Sequence, residues 1–225
     1  MATLPASLSP PVRRAPAPKP TRRRRRKEAR PSELIDAAIA LFTARGYAAT
    51  RSADIAALAG VSKATLYLYF EDKASLFKAV ITQGVVPIID EAAALIDDFT
   101  GDSASLLRQL LTRWHARFSA SPLAGMPKLM ISEASNFPEL TKYHEEVAYA
   151  RARTLLGQVI DRGVARGEFR DLNRAAVVEL LIAPLLMHFI WQHSMGANGC
   201  PVVEPVAYLN THLDLVLTGL AAKPA

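Results

Sequence analysis

Cysteine is almost missing from these 225 residues: Cys200 stands alone, which excludes an intrachain disulfide and leaves too few thiols for a zinc site. Aromatic residues make up only 7% of the chain and β-branched alternation is hard to find, so a sheet has little to build on. Ala and Leu dominate instead, and this composition predicts an all-α protein of helices packed on helices. No apolar run is both long and clean. Residues 175–190 are broken by Glu179, Pro184 and His188 and fall short of the roughly 20 apolar residues that span a bilayer, so no transmembrane helix and no membrane partner are expected. The first thirty residues lack an apolar signal core and a small-residue cleavage site, from which a cytoplasmic protein is expected. Catalytic signatures are missing too. There is no nucleophile elbow, phosphate loop or HExxH string, and His188 with His193 has no convincing third ligand, so no enzyme, metal site or cofactor is expected.

Acids are scarce at one end only. The net charge is +6, yet residues 1–30 hold ten Lys/Arg against one acid, so the rest of the chain is net acidic. Residues 1–31 also hold seven of the fifteen prolines and the run Arg22-Arg23-Arg24-Arg25-Arg26-Lys27, a composition that predicts a disordered basic arm ending at Pro31.

From Ser32 the pattern becomes helical. Ile35, Ala38, Ile39 and Phe42 recur at helical spacing, with Ser32 placed to cap the start and Gly46 to end it. Ile55, Leu58 and Ala59 form a second short helix closed by Gly60, and Ser62 caps a third that carries Leu66 and Phe70. Asp72 caps a fourth, with Leu76, Phe77, Val80 and Ile81 facing inward, and a domain boundary is expected near residue 80. The chain therefore divides into an arm, residues 1–31, a small helical unit, residues 32–80, and a larger helical domain, residues 81–225. Turn signals in the last part predict a long helix over 138–166 and two strongly apolar helices over 174–192 and 205–220.

Residues 52–70 have the helix, tight glycine turn and second helix of a DNA-reading unit. A longer string carries more information: Gly46-Tyr47, Thr50, Asp54-Ile55-Ala56, Ala59-Gly60-Val61-Ser62-Lys63-Ala64-Thr65-Leu66-Tyr67-Leu68-Tyr69-Phe70, Asp72-Lys73 and Leu76-Phe77. In order and spacing it closely resembles the tetracycline-repressor (TetR) family over about residues 32–80. The resemblance implies an N-terminal three-helix DNA-binding domain and a C-terminal helical domain that binds an effector and dimerises. It also implies a repressor that a small hydrophobic ligand releases from a palindromic operator on double-stranded DNA.

The residues themselves support part of this. Ile55, Ala56, Val61, Leu66 and Phe70 can close a small core, leaving the other face of the third helix to read DNA. A recognition helix touches base edges with its first turn, here Ser62, Lys63, Ala64 and Thr65. Lys63 suits guanine or phosphate, Thr65 a base edge or thymine methyl, and Ala64 a close approach, or simply a good helix former. Tyr67, Leu68 and Tyr69 continue this surface, the tyrosines reaching phosphates or packing inward. Thr50, Ser52 and Lys73 sit at helix starts, where phosphates bind; capping is the plain alternative for the two hydroxyls. Residues 31–80 carry five Lys/Arg and five acids, so nonspecific attraction falls to the arm, which either follows the phosphate backbone or minor groove or stays solvated. A nonspecific architectural DNA protein would use the same arm, but without needing the reading motif.

Dimerisation is expected because one recognition helix reads few base pairs, and Val177, Leu180, Leu181, Leu185, Leu209, Leu213, Val216 and Leu217 offer apolar helix faces for it or for the core. Ligand-site candidates are Trp114, Phe118, Met130, Asn136, Phe137, Tyr149, Met187, His188 and Trp191, with His115, Met126 and Glu133 beside them: apolar side chains interspersed with polar anchors. Any one of them serves equally as ordinary core, and a lipid-chain or protein effector fits the same set.

Overall fold

The computed structural model describes residues 22–222, and among these the regular structure is helical, with no strand beyond one isolated bridge between Phe169 and Ala221. Helix α1 spans Arg22–Arg45, α2 Ser52–Leu58, α3 Lys63–Tyr67, α4 Lys73–Val80, α5 Val86–Asp98 and α6 Ser103–Ser119. Then come α7 Met126–Glu133, α8 Pro138–His144, α9 Ala150–Ala165, α10 Arg174–Ser194 and α11 Pro205–Leu220.

The first helix departs from expectation. It begins at Arg22, ten residues before Ser32, and runs through Pro31, so residues 22–31 are helical rather than part of a disordered arm. Arg, Lys, Glu and Ala are strong helix formers, and their summed propensity carries the helix past one proline, which removes a single backbone donor. Residues 1–21, the rest of the expected arm, lie outside the described residues.

The helix starts follow from their caps. Ser62 Oγ accepts from Thr65 N at 3.1 Å, Asp72 Oδ1 from Ser75 N at 2.6 Å, Asp102 from Ser105 N at 2.8 Å and Asn173 Oδ1 from Ala176 N at 3.0 Å. At Asp72 the Ser75 hydroxyl accepts the Asp72 backbone N–H in return, completing a capping box.

No linker marks residue 80. There α4 passes through a π turn, Ile81–Val85, into α5, giving one continuous helix over Lys73–Asp98. One apolar cluster accordingly joins the first four helices to Ile88, Ile89, Phe118, Met126, Leu129 and Phe189, and a second is built from α6, α9, α10 and α11 around Leu107, Val159, Leu181 and Leu213. The expected long helix appears as α8, a π turn and α9 in unbroken succession.

Two segments, Lys73–Asp98 and Arg174–Asn198, are long and apolar enough to cross a membrane by length and composition, although the sequence pattern leads to the expectation of none. Glu179, Pro184 and His188 are too few to offset the flanking Val, Leu and Ile. Both helices lend side chains to the core, among them Ile81, Ile88, Val177, Leu181, Leu185 and Phe189, and a core helix covered on more than one face is apolar for that reason.

Candidate DNA interface and effector chamber

The reading unit is fixed by its turn. At the end of α2, Gly60 adopts φ +66°, its N–H donates to Ala57 O at 3.1 Å and Val61 N–H to Ala56 O at 2.9 Å, a Schellman motif that needs the left-handed conformation glycine adopts freely. This turn swings the chain into α3, whose Leu66 is buried with Ile55, Ala56 and Phe70, while Val61 is half-buried against them. The opposite face is open: Ser62, Lys63 and Ala64 are exposed, and Tyr67 and Leu68 keep 42% and 82% of their surface. Lys63 Nζ lies 5.7 Å from the centre of the Tyr67 ring, so cation and phenol share one side of the helix. Thr65 is half-buried, its hydroxyl 2.9 Å from Ser62 Oγ. The helix ends at Tyr67. Leu68 and Tyr69 therefore occupy the following turn, and Tyr69 packs against the core cluster.

Two expected phosphate ligands face inward instead. Thr50 is 1% exposed, and its hydroxyl donates to Gly46 O at 2.7 Å, clasping the end of α1. Lys73 Nζ donates to the carbonyls of Tyr47, Ala48 and Thr50 at 2.7, 3.3 and 3.0 Å and lies 4.3 Å from the Tyr47 ring centre. An ammonium has three protons, and all three have carbonyl partners here. Burial lowers the Lys73 pKa, opposed by the Glu133 carboxylate. Ser52 is half-buried in the first turn of α2, a helix that begins without a side-chain cap.

The same turn meets the larger domain. Glu133 Oε1, at the end of α7, accepts the Ala48 N–H at 3.1 Å. Gly46 permits this seat, since a Cβ there would come within 2.9 Å of that oxygen and its φ of +88° disfavours any side chain. Phe137 meets Tyr47 edge-on at 4.7 Å. Burial, then Asp72, Glu139 and Glu133, pushes the Tyr47 hydroxyl up to about 12.

Behind this joint lies a chamber of about 700 Å³. Its wall is mainly apolar: Ile88, Ala92 and Leu95 of α5, Leu110, Trp114 and Phe118 of α6, Met126, Met130 and Ile131 of α7, and Ile182, Leu186 and Ile190 of α10. Glu91, Asp98, Arg113, Arg117, Thr141, His144, Glu145 and Tyr149 supply its polar edge. Burial drives the His144 imidazole down to about 4, so it is neutral at physiological pH. Burial, and then Glu179, which accepts from the Tyr149 hydroxyl at 3.1 Å, raises Tyr149 to about 12.

Of the nine expected ligand-site residues, Trp114, Phe118, Met130 and Tyr149 line the chamber. The other five do not. Phe137 packs on Tyr47 and Asn136 is exposed. Met187 and Trp191 lie on the outer face of α10, 55% and 46% exposed, one position round the helix from the lining Leu186 and Ile190. His188 is buried elsewhere, stacked 4.2 Å from Tyr208, with Nε2 donating to Val203 O at 3.0 Å. The α10 periodicity is visible in the sequence, but which of its apolar stripes faces inward is not.

Two family models match the chain: bacterial regulatory proteins of the tetR family over residues 34–80, and the tetracyclin repressor-like C-terminal domain over residues 97–197. The chain belongs to the tetR family. This TetR-family protein is 28% identical over 203 residues to the HTH-type transcriptional repressor KstR2 of Rhodococcus jostii, covering 87% of the chain and 93% of that protein. In structure it is similar to a TetR-family regulator from Mesorhizobium loti, with 25% identity, a TM-score of 0.67, and coverage of 88% of this chain and 99% of that one. It is also similar to the regulator FadR of Bacillus subtilis, solved in complex with stearoyl-CoA, with 21% identity, a TM-score of 0.73, and coverage of 84% and 98%. The TetR-family chain is thus a DNA-binding transcriptional regulator and not an enzyme.

Proposed function

We propose that this regulator is a cytoplasmic homodimeric repressor whose two recognition helices read an inverted repeat, and that a small apolar molecule in the chamber releases it. Helix α7 carries the reading: it lends Met126, Pro127, Met130 and Ile131 to the chamber wall and ends in the Glu133 carboxylate that holds Ala48. A ligand that displaces α7 acts directly on the turn between α1 and α2, which Lys73 ties to the start of α4. Coupling of this kind requires the ligand to bind the released arrangement more tightly than the DNA-bound one.

On the DNA side, Lys63, Ala64, Thr65 and Tyr67 meet base edges and Leu68 meets thymine methyls or sugars, while Ser52, Ser62 and Tyr69 contact the backbone. Thr50 and Lys73 support this surface from behind. For the dimer, the outer faces of α10 and α11 leave Leu180, Met187, Trp191, Val206 and Leu215 exposed, a row that a two-fold partner would cover. KstR2, a repressor, and FadR with its acyl-chain ligand support the repressor and apolar-effector parts of the reading. The test is fluorescence anisotropy on a selected operator duplex, with Trp114 emission as the chamber reporter. Apolar compounds that change Trp114 emission should release the duplex in proportion to occupancy; chamber occupancy without release would overturn the ligand switch.

A further inference from the structure

Nine arginines lie between residues 81 and 222, and eight have partners. Arg108 pairs with Asp214, Arg117 with Glu91, Arg151 with Asp90, Arg153 with Glu145 and Glu179, and Arg174 with Asp161. Arg162, Arg166 and Arg170 donate to the backbone carbonyls of Gly101 and Gly219. Of these nine, Arg113 alone has no such partner. It is also the residue shared by two cavities: the apolar chamber, next to Trp114, and a polar cleft along α6 lined by Ser105, Arg108, Gln109 and Thr112.

An exposed, unpaired guanidinium is ordinary on a surface, where water solvates it. At the rim of an apolar chamber it is a ready receptor for an anion, because its planar fork matches carboxylate and phosphate oxygens. The other charges on the chamber edge are mostly satisfied: Glu91 by Arg117 and Glu145 by Arg153. Asp98 is the exception. It lines the same chamber, forms no ion pair among the described residues, and opposes an anion there. We propose that the chamber takes an amphiphile, with its apolar chain or ring body against Trp114, Leu110 and Met130 and its anionic head on Arg113. A head larger than a carboxylate continues into the polar cleft. The volume of about 700 Å³ falls within the roughly 300–1,000 Å³ of sites that enclose such molecules. This inference rests on the reading of the chamber as the effector site.

Stearate, stearyl phosphate and stearyl alcohol share one chain and differ in the head, so they separate charge from apolar burial. Full-length protein is titrated with each, below its aggregation concentration, by calorimetry and tryptophan emission. At least one anion should bind about tenfold or more tightly than the alcohol, the scale of one charge-assisted contact. The stronger anion identifies the head as carboxylate or phosphate. Arg113→Gln, with its fold checked by circular dichroism, should bring the anions to within about twofold of the alcohol while leaving the alcohol unchanged, and Asp98→Asn should strengthen the anions only. Equal binding of alcohol and anions by the natural protein, or an anion advantage that survives Arg113→Gln, overturns the role of Arg113 and leaves the chamber standing. Failure of all three to bind overturns both.

Discussion

Lys73 carries a charge that sequence position alone would assign to DNA. Its three carbonyl bonds instead hold the turn over residues 47–50 against α4, and the two roles make opposite predictions. Lys73→Met should destabilise the protein by about 1–3 kcal/mol in urea unfolding, because three acceptors lose their donor. The salt slope of DNA binding should stay unchanged; a fall of about 0.9 in that slope would restore Lys73 as a phosphate contact. His144 gives the residue scale a pH dependence. Its folded pKa of about 4 lies below the ordinary 6.5, so between those values the unfolded chain takes up a proton that the folded chain refuses. Stability is therefore full above about pH 6.5, falls as pH drops toward 4, and levels off below, a total loss on the order of 3 kcal/mol. Burial shifts His115 and His193 in the same direction. Urea unfolding at pH 7 and 4.5 measures the loss, and His144→Gln should reduce it. What stays hidden in the sequence at this scale is orientation: Thr50, Lys73 and Glu133 are legible as polar residues near helix ends, but only the packed fold shows that all three are spent on the α1–α2 turn.

Elements are more legible, because their signals are local. Ser62 and Asp72 each cap a helix, Gly60 supplies the reading-unit turn, and α11 runs over Pro205–Leu220 as its Pro and Leu pattern predicts. The start of α1 is not legible, since proline content and a charge run signal disorder while the arginines favour helix. The basic run of residues 22–27 falls in α1, and a deletion tests whether it contributes to DNA binding. Deleting residues 1–30 should weaken DNA binding at low salt by several powers of ten and make the log–log salt slope shallower by about 0.9 for each phosphate that the segment neutralises. An unchanged slope would leave the basic segment solvated and without a role in binding.

For the whole molecule, one apolar cluster runs from the reading unit into the larger domain, so the two share one core rather than a flexible joint. That continuity allows a chamber event to reach DNA, and it also means the two halves should unfold together. Dimerisation is the remaining requirement. Leu180→Arg with Leu215→Arg, both on exposed positions, should leave the fold intact, yield monomers in sedimentation, and abolish tight operator binding; a dimer that survives would move the interface elsewhere. The central claim, that a two-fold pair of α3 helices reads sequence, is met most directly by selecting full-length protein on randomised duplexes at about 150 mM salt, where phosphate attraction alone is already weak. The account predicts recovery of an inverted repeat with half-site centres one helical turn, about 34 Å, or a multiple of it apart, and recovery of no preferred sequence would contradict it.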